Sequence, residues 1–377
     1  MKKTHFLYPV IKEFFNPKKV KNIKKFKNGL INKTYLIEFE NIKYIIQKIN
    51  SNVFKSPMAV MHNIDLITNH LKRKLIYEGK NFQNLTLTLI KTKHNENFVI
   101  VDDEYWRCYL CIEGITYEET SDPEIFYEAG RVIGEFQLLL KDFHSPLLND
   151  NIRNFHNTVI RYEEFLEKVI INKYDRRKYC LEEISIINNR RDKMGLIVDA
   201  LKNKQIPLRV VHNDTKLNNI MFDKKTKKSL CLIDLDTTMK GSMLFDFGDA
   251  LRKGASTTTE DDTNLDNVKI NLDLVSSFTE GFLYSVQTII TDNEIKLLYD
   301  AYYILTLELG MRFLTDFLNN DQYFKIDEDL NRPFINLERA KNQLKLLLEI
   351  EKNELEIKEI INNKLLNFKG DKNVRLS

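Results

Sequence analysis

Short apolar runs dominate the chain up to about residue 113 and give this region the character of a sheet. The runs have the length and residue types of strands, and six strands are predicted, over residues 20–26, 34–39, 43–49, 85–90, 98–101 and 105–112. Two helices are predicted in the same region, one before the first strand and one between the third and fourth strands. A short helix is predicted over residues 5–16, and a longer one begins at Ser56 and Pro57, a favourable N-cap and first helical position, and ends near residue 74.

Helical spacing takes over after residue 114. It predicts long helices over residues 123–141, 273–286, 292–317 and 336–366. The change in spacing predicts an α+β fold of two lobes. The β-rich N-terminal lobe is expected over residues 1–113, and the helical C-terminal lobe over residues 114–377.

Two polar motifs stand out within the helical half. Residues 210–219 read Val-Val-His-Asn-Asp-Thr-Lys-Leu-Asn-Asn and contain Asp214 and Asn219; a short apolar run further on leads into Asp234 and Asp236. A carboxylate such as Asp214 can accept the proton of an attacking hydroxyl. Asn219 and Asp234 offer the oxygen ligands that Mg²⁺ prefers, together with water and nucleotide phosphates. This order and spacing predict a kinase-like phosphoryl-transfer site.

The second motif also makes a prediction about geometry. If the strand extends through residue 236, its period of two puts Leu232, Asp234 and Asp236 on one face. Two acids on an apolar strand need a cation or hydrogen-bond donors. The alternative is a buried strand whose aspartates only cap the next turn, and the presence of both motifs in this order favours the kinase-like site.

Phosphate-binding groups are expected near the first hairpin of the N-terminal lobe. Asn28 and Gly29 predict a tight turn between the first two strands, where kinases cover the ATP phosphates. The candidate phosphate donors are Asn32, Lys33 and Thr34. An ordinary hairpin without a ligand is the alternative at this point.

One kinase feature is missing from the third predicted strand. The position that carries a phosphate-pairing lysine in many kinases holds Gln47, and the helix that follows offers no obvious glutamate partner. Gln47 is therefore a candidate neutral donor to the nucleotide. Backbone groups near Leu110 and Ile112, at the end of the N-terminal lobe, are expected to contact the adenine.

Three further residues receive an interpretation from their type and setting. Arg107 is interpreted as fold-stabilising in preference to catalytic, and His156 as structural in preference to substrate-binding. Arg312 lies inside an apolar helix and requires a partner, which is either an internal acid or a polar ligand.

Composition narrows the function classes. The chain has 377 residues with 57 Lys and Arg against 54 Asp and Glu, a net charge of +3 that gives no reason to expect nucleic-acid binding. No stretch reaches the apolar length of a membrane span, so we expect a cytoplasmic protein. We also expect a monomer or a weak dimer. Cys108 and Cys111 form a lone C-x-x-C, which without a second pair is not expected to bind zinc or act in redox chemistry.

With these motifs in place, the chain resembles the aminoglycoside phosphotransferase-like kinases, which have a two-lobed protein-kinase-like fold. Within them it looks most like the bacterial N-acetylhexosamine 1-kinases, and this similarity runs nearly end to end. The motifs that carry it are His212-Asn-Asp-Thr-Lys-Leu-Asn-Asn219, Ile233-Asp-Leu-Asp-Thr237, Phe245-Asp-Phe-Gly-Asp249, Tyr44-Ile-Ile-Gln47, Phe155-His-Asn-Thr158, Arg312-Phe-Leu and Tyr323-Phe324. Gln47 is usual for this group, whereas Asn213 departs from it, since relatives often carry cysteine there.

The resemblance implies ATP-dependent phosphorylation of the anomeric hydroxyl of GlcNAc or GalNAc to the sugar 1-phosphate. It implies Asp214 as the base and Asn219 with Asp234 as magnesium ligands. The residues that the resemblance places in the sugar pocket, besides Asp214, are Thr237, Arg312, Tyr323, Asp236 and Asp316. Two alternatives remain open: a kinase of the same fold that acts on an aminoglycoside, choline or another sugar, and a catalytically silent nucleotide-binding regulator.

Overall fold

The computed structural model describes residues 5–26, 32–324 and 334–374, which form an α+β protein as the hydrophobic pattern predicts. The helices are α1 (Tyr8–Phe14), α2 (Pro57–Tyr77), α3 (Pro123–Leu139), α4 (Thr158–Ile171), α5 (Leu181–Asn188), α6 (Leu196–Lys202), α7 (Met243–Gly254), α8 (Leu272–Val286), α9 (Asp292–Lys296), α10 (Leu298–Leu318), α11 (Ile335–Lys352) and α12 (Glu354–Val374). The strands are β1 (Asn22–Lys25), β2 (Lys33–Glu38), β3 (Lys43–Lys48), β4 (Val99–Val101), β5 (Glu104–Leu110), β6 (Arg209–Val211), β7 (Ile220–Phe222), β8 (Ser229–Leu232) and β9 (Met239–Gly241).

The chain divides into two compact units, and each unit combines segments that are distant in sequence. The first unit contains Met1–Thr116, Asp142–Ile152 and Asn219–Lys240, and the second unit contains Tyr117–Lys141, Arg153–Asn218 and Gly241–Ser377. Asn219 and Asp234 therefore belong to the first unit, whereas Asp214 belongs to the second. The division at residues 113 and 114 into a nucleotide-binding and a catalytic lobe stays a prediction.

The first unit is built on an antiparallel sheet. Within the described residues this sheet has five strands in the order β1-β2-β3-β5-β4. The register makes Gln47 the partner of Thr34 on one side and of Arg107 on the other. These three polar residues therefore form one row across the sheet. Cys108 within β5 and Cys111 just beyond the end of this strand are free thiols.

The strand predicted over residues 85–90 does not form, and this prediction is wrong. Leu89 makes only an isolated bridge with Tyr109, although the Ile90 N–H donates to the Cys108 carbonyl at 2.9 Å. The reason is that β4 pairs with the start of β5, from Glu104 onwards. Two segments thus share one edge of β5, and each pairs over only a few residues.

Two long helices begin at a side-chain cap, and the cap at Ser56 is the one that the sequence predicts. The Ser56 hydroxyl accepts a hydrogen bond from the Ala59 N–H at the start of α2, and Pro57 occupies the first helical position. The Asp122 carboxylate likewise accepts from the Glu124 N–H at the start of α3. Both caps satisfy backbone donors that the first helical turn leaves without a partner.

The second unit is mainly helical, and α3 and α8 pack together at very close range. A Cβ atom added to Gly130 of α3 would lie 2.2 Å from the Phe278 carbonyl oxygen, and one added to Gly281 of α8 would lie 2.0 Å from the Tyr127 carbonyl oxygen. Only glycine allows the two backbones to approach this closely. This contact anchors the helical core on which α7 is also packed.

Two of the long helices predicted from spacing are each divided in two. The helix predicted over 292–317 is interrupted at Leu297, between α9 and α10, and the one predicted over 336–366 at Asn353, between α11 and α12. At the second break the Asn353 side chain donates to the Glu349 carbonyl, so the local hydrogen bonds of the cap replace those of a continuous helix. Apolar spacing continues across both breaks, which is why the pattern predicts single helices. In the described part of the chain, no helix is both long and apolar enough to cross a membrane.

Candidate active site

The loop that carries Asp214 is held by a buried acid of α7. One carboxylate oxygen of Asp246 accepts from the His212 N–H at 3.0 Å, and the other accepts from the Asn213 N–H at 2.8 Å. The Thr215 hydroxyl donates to the Asp246 carbonyl oxygen at 2.8 Å. Burial raises the pKa of the Asp246 carboxyl above its usual value, although the His212 charge and these hydrogen bonds act in the opposite direction. The residues on both sides of Asp214 are therefore held by Asp246, to which the sequence assigned no role.

Asp214 itself is partly open to solvent and has a cationic neighbour. Its side chain is 24% exposed, and the Lys216 ammonium lies 2.8 Å from its Oδ2 atom. Lys216 was not among the predicted site residues, although its place two residues after the base was visible in the motif. An ion pair at this distance orients the carboxylate and keeps positive charge beside it.

Asn213 adopts a left-handed backbone conformation with φ of 65°. Asparagine tolerates this conformation better than most residues that have a side chain. The departure from cysteine that the sequence shows at this position is therefore compatible with the geometry of the loop.

Asn219 and Asp234 are brought close by the hairpin of β7 and β8 in the first unit. Ile220 pairs with Leu232, and the Ile233 N–H donates to the Asn219 carbonyl at 2.8 Å. The two predicted metal ligands thus occupy the same end of the hairpin.

The donor set at this end of the hairpin fits a hard divalent cation. Asn219 provides an amide oxygen and Asp234 a carboxylate, the types that Mg²⁺ prefers. Among the described residues, no group of three or more His, Cys, Asp or Glu side chains is arranged to hold a metal ion. Two protein ligands are enough where phosphate oxygens and water complete the octahedron, as they do in nucleotide-dependent enzymes.

The prediction that Asp234 and Asp236 share a strand face is wrong. Strand β8 ends at Leu232, Asp234 has φ and ψ of 60°, and Leu235–Thr237 forms a 3-10 turn. A left-handed residue changes the direction of the chain, so the period of two does not continue beyond it. Asp234 and Asp236 consequently lie in different surroundings.

Asp236 is enclosed within the first unit, with 2% of its surface exposed. Its Oδ1 atom lies 2.5 Å from an Nη atom of Arg107, and its Oδ2 atom accepts from the Asn32 amide at 2.7 Å. The Asn151 amide donates to its carbonyl oxygen at 2.9 Å. Burial acts to lower the pKa of Arg107, but the charge and hydrogen bond of Asp236, together with the nearby Tyr109 and Asp234, outweigh burial and the net pKa is raised.

The other side chains predicted to contact nucleotide form a connected polar row. The Gln47 amide donates to the Thr34 hydroxyl, and Arg107 donates from Nε to the Gln47 carbonyl oxygen, both at 3.0 Å. Asn32 accepts from the Asn50 N–H at 3.0 Å. Asn32, Thr34 and Gln47 are thus connected to the protein itself.

The remaining nucleotide-side predictions differ in their exposure. Lys33 lies on β2 with an exposed side chain, and Ile112 is buried with 8% exposed. Leu110 ends β5, and its N–H donates to the Thr88 carbonyl at 2.9 Å. The turn predicted at Asn28 and Gly29 falls outside the described residues.

Arg312 of α10 lies among aromatic rings in the second unit. Its guanidinium carbon is 5.3 Å from the ring centre of Phe155, 5.7 Å from that of Tyr323 and 5.6 Å from that of Phe324. One of its Nη atoms is 3.4 Å from the Tyr323 hydroxyl. The structure therefore brings together two of the predicted sugar-binding residues, Arg312 and Tyr323, whereas Thr237 belongs to the first unit.

The partner of Arg312 within its own helix is an acid, Glu308. An internal acid was one of the two alternatives that the sequence left open. Glu308 lies one helical turn earlier, 3.8 Å from the guanidinium, and is also bound by the Thr158 hydroxyl and by Nδ1 of His156, at 3.0 Å. Burial acts to raise the pKa of Glu308, but the charge interaction and hydrogen bond with His156, together with the Arg312 and Arg161 charges, outweigh it and the net pKa is lowered. The contact with Glu308 supports the structural role favoured for His156.

Asp316 organises the segment that carries Tyr323. Its two carboxylate oxygens accept from the backbone N–H groups of Gln322, Tyr323 and Phe324 at 2.8 to 2.9 Å. Burial raises the pKa of the Asp316 carboxyl, although these hydrogen bonds act in the opposite direction. Asp316 therefore acts on the position of Tyr323 through the backbone.

Comparisons with solved structures give the fold. The chain is similar to an aminoglycoside phosphotransferase from Alicyclobacillus acidocaldarius, with a TM-score of 0.61 at 12% identity over 92% of this chain and 95% of that chain. A choline kinase from Cryptosporidium parvum gives 0.57 at 14% identity over 97% and 98%. A spectinomycin phosphotransferase solved with ADP and spectinomycin gives 0.50 at 14% identity over 88% and 94%. The protein-kinase-like, aminoglycoside phosphotransferase-like fold expected from the motifs is confirmed.

A family model gives the relationship directly. The model of the phosphotransferase enzyme family matches residues 22–278, well over half of the chain, and this range includes Asp214, Asn219 and Asp234. The candidate site combines a loop held by Asp246 with a hairpin that carries Asn219 and Asp234. The protein belongs to the phosphotransferase enzyme family.

Proposed function

We propose that this protein transfers the γ-phosphoryl group of ATP to the anomeric hydroxyl of an N-acetylhexosamine, GlcNAc or GalNAc, to give the sugar 1-phosphate. The observation that carries phosphoryl transfer is the hydrogen bond from the Ile233 N–H to the Asn219 carbonyl, because it places an amide and a carboxylate ligand at one end of a hairpin. The choice of acceptor rests on the motif resemblance, above all on Arg312 and Tyr323.

The proposed reaction assigns roles to a base, two metal ligands and three sugar-binding residues. Asp214 accepts the proton of the anomeric hydroxyl as its oxygen attacks the γ-phosphorus, and the bond from that phosphorus to the ADP oxygen breaks. Asn219 and Asp234 hold Mg²⁺, which when bound neutralises charge on the phosphates. Thr237, Arg312 and Tyr323 bind the sugar. Catalysis then depends mainly on positioning and on charge stabilisation.

Nucleotide binding is assigned to the sheet side of the first unit. The residues proposed for it are Asn32, Lys33, Thr34, Gln47, Leu110 and Ile112. Support comes from the related fold of a spectinomycin phosphotransferase that was solved with ADP. Gln47 is hydrogen-bonded to Thr34, and Asn32 is hydrogen-bonded to Asp236 and Asn50, so these side chains are held in place before nucleotide arrives.

A second candidate acceptor class is a cationic alcohol such as choline or an aminoglycoside. Proteins of similar fold are named a choline kinase and an aminoglycoside phosphotransferase. The guanidinium of Arg312 argues against it, because a cation beside the acceptor would repel a positively charged substrate. A silent nucleotide-binding regulator is the alternative from another class, and it would bind nucleotide without product formation.

Phosphorus NMR of the protein with ATP, Mg²⁺ and a panel of acceptors tests the proposal. The panel contains GlcNAc, GalNAc, choline and an aminoglycoside. We expect an anomeric-phosphate signal with GlcNAc or GalNAc. Product with only a cationic alcohol would overturn the sugar assignment, and bound, unconverted ATP without product on any acceptor would support the regulator.

Replacement of the base gives the matched test of mechanism. Asp214→Asn should lower turnover about 10²- to 10⁴-fold, the range for loss of a general base, with ADP affinity retained. Asp192→Asn, at a side chain of the same unit that is 93% exposed, serves as the control and should leave turnover unchanged. Near-normal turnover of the Asp214 variant would contradict its assigned role.

A further inference from the structure

We infer that Arg107 is a positioning residue for the metal-binding turn, which consists of Asp234 and the 3-10 turn Leu235–Thr237. Paired with Asp236, Arg107 places a buried cation on β5, whereas other kinases carry theirs on the neighbouring strand. The inference rests on the proposed function in so far as Asp234 and Asn219 receive the metal of a metal-nucleotide complex. It also changes the expected role of Asp236, from a sugar contact to a partner of Arg107.

The first step is the burial of the charge. Arg107 is 1% exposed, and its side chain reaches Asp236 at 2.5 Å and Gln47 at 3.0 Å. A buried charge without a partner is strongly destabilising, so a guanidinium persists at this depth only with well-placed acceptors. Arg107 has an acceptor within the sheet, Gln47, and a second acceptor outside the sheet, Asp236.

The second step is the connection from Asp236 to Asp234. Asp236 belongs to the 3-10 turn Leu235–Thr237, and Asp234 is the residue that leads into this turn. Arg107 and Asn32 hold the two carboxylate oxygens, and Asn151 donates to the backbone carbonyl. Displacement of Asp236 would therefore shift the backbone of Asp234, two residues away.

The third step is the comparison with the lysine of other kinases. A strand lysine and a helix glutamate form an ion pair that must be in place for activity in protein kinases. In this chain the strand position holds Gln47, but its partner on the next strand is Arg107, and the two side chains are hydrogen-bonded. The cation is thus displaced by one strand, and its acidic partner is on the metal-binding turn.

A fourth observation ties the same network to the candidate phosphate-binding residues. Asn32 links Asp236 to the start of β2, and Gln47 links Arg107 to Thr34. One connected set of side chains thus spans the phosphate side and the metal side of the first unit. A change at Arg107 is expected to affect metal-dependent nucleotide binding more than binding of nucleotide alone.

The experiment uses two variants of the full chain, Arg107→Lys and the double variant Arg107→Gln with Asp236→Asn. Lysine keeps the charge but cannot make both directed contacts of a guanidinium. The double variant removes both charges together and so avoids an unpaired buried ion. Lys48→Gln is the matched control, because Lys48 is adjacent to Gln47 on β3 and pairs with Glu104.

The measurement is calorimetric binding of ADP at a series of Mg²⁺ concentrations, with circular dichroism to verify folding. We expect both Arg107 variants to require about tenfold more Mg²⁺ for half-maximal enhancement of ADP binding, the lower end of the effect of residues that orient metal ligands. Binding of ADP without Mg²⁺ should stay within about twofold of the wild type, since the change acts through the metal ligands. The Lys48 control should match the wild type in both.

An unchanged Mg²⁺ requirement in a folded double variant would overturn the inference and leave Arg107 a purely structural residue. Failure of both variants to fold would also count against it, because the inference requires a folded protein with a displaced metal-binding turn. A wild type whose ADP binding does not respond to Mg²⁺ would overturn it as well. A wild type that binds Mg²⁺ and ADP but phosphorylates no acceptor would instead refute the proposed function and leave the inference standing.

Discussion

Arg107 in the first unit and Arg312 in the second are two arginines in opposite circumstances. Arg107 is 1% exposed and bound to a carboxylate at 2.5 Å. Arg312 keeps 14% of its side chain exposed, lies 3.8 Å from Glu308 and is otherwise surrounded by aromatic rings. An arginine closely bound to an acid holds protein segments together. One that is loosely paired on aromatic faces can still receive a ligand.

The acidic partners of these arginines, Asp236 and Glu308, also differ in how strongly they depend on the arginine. Asp236 is bound on both oxygens by Arg107 and Asn32, and its position depends on them. Glu308 has His156 and Thr158 as nearer partners than Arg312. Removal of the arginine would therefore leave Asp236 with a buried unpaired charge, whereas Glu308 would retain its nearer partners.

The largest expected difference is in folding stability. Arg107→Met should lower the free energy of unfolding by about 3–5 kcal/mol, since it leaves the Asp236 charge buried and unpaired. Arg312→Met should lower it by less than about 1 kcal/mol, because the pair is loose and partly exposed. Urea denaturation of both variants at pH 7 provides the measurement. Equal losses of unfolding free energy in the two variants would show that the tighter pairing of Arg107 does not contribute more to stability.

A smaller difference is expected in acceptor binding, on the proposed function. Arg312→Met should raise the KM for the sugar about 10- to 100-fold, the equivalent of one hydrogen bond from a charged donor. Arg107→Lys should leave that KM within about twofold, because Arg107 acts through the metal-binding turn. Initial rates at saturating ATP would measure both values. Arg191→Met is the control, at a side chain that is 70% exposed.

The smallest expected effect is on the pH dependence of stability. The pKa of Glu308 is lowered from its ordinary value of 4.5, so its contribution is present above that pH and is lost as the pH falls through the folded-state pKa. Glu308→Gln should therefore be less stable than the wild type at pH 7, by on the order of 1 kcal/mol. The gap should close in acid. Melting temperatures between pH 3 and pH 7 would test this, and a gap that stays constant would exclude ionisation of Glu308 as its cause.

Local features of the fold were predictable wherever neighbouring residues determine them. The start of α2 follows from Ser56 with Pro57. The meander of β1 to β3 follows from alternating and apolar runs. Each of these depends on a few adjacent side chains.

The Arg107 network was beyond the reach of the sequence pattern. Arg107 and Asp236 are 129 residues apart, and Asn32 and Asp236 are 204 residues apart. Strand period and residue type carry no information on contacts at such separations, so Arg107 was interpreted only as fold-stabilising, and the resemblance alone placed Asp236 in the sugar pocket. The end of β8 at Leu232 was missed for a related reason, because the apolar spacing continues past it.

The left-handed backbone at Asp234 restricts which amino acids can occupy that position before any chemistry is considered. With φ and ψ of 60°, it accepts glycine freely and asparagine or aspartate with little penalty, whereas alanine would add strain on the order of 1 kcal/mol. An alanine scan would thus confuse loss of a ligand with deformation of the turn. Asparagine is the informative replacement, because it changes the charge while the chain keeps its course.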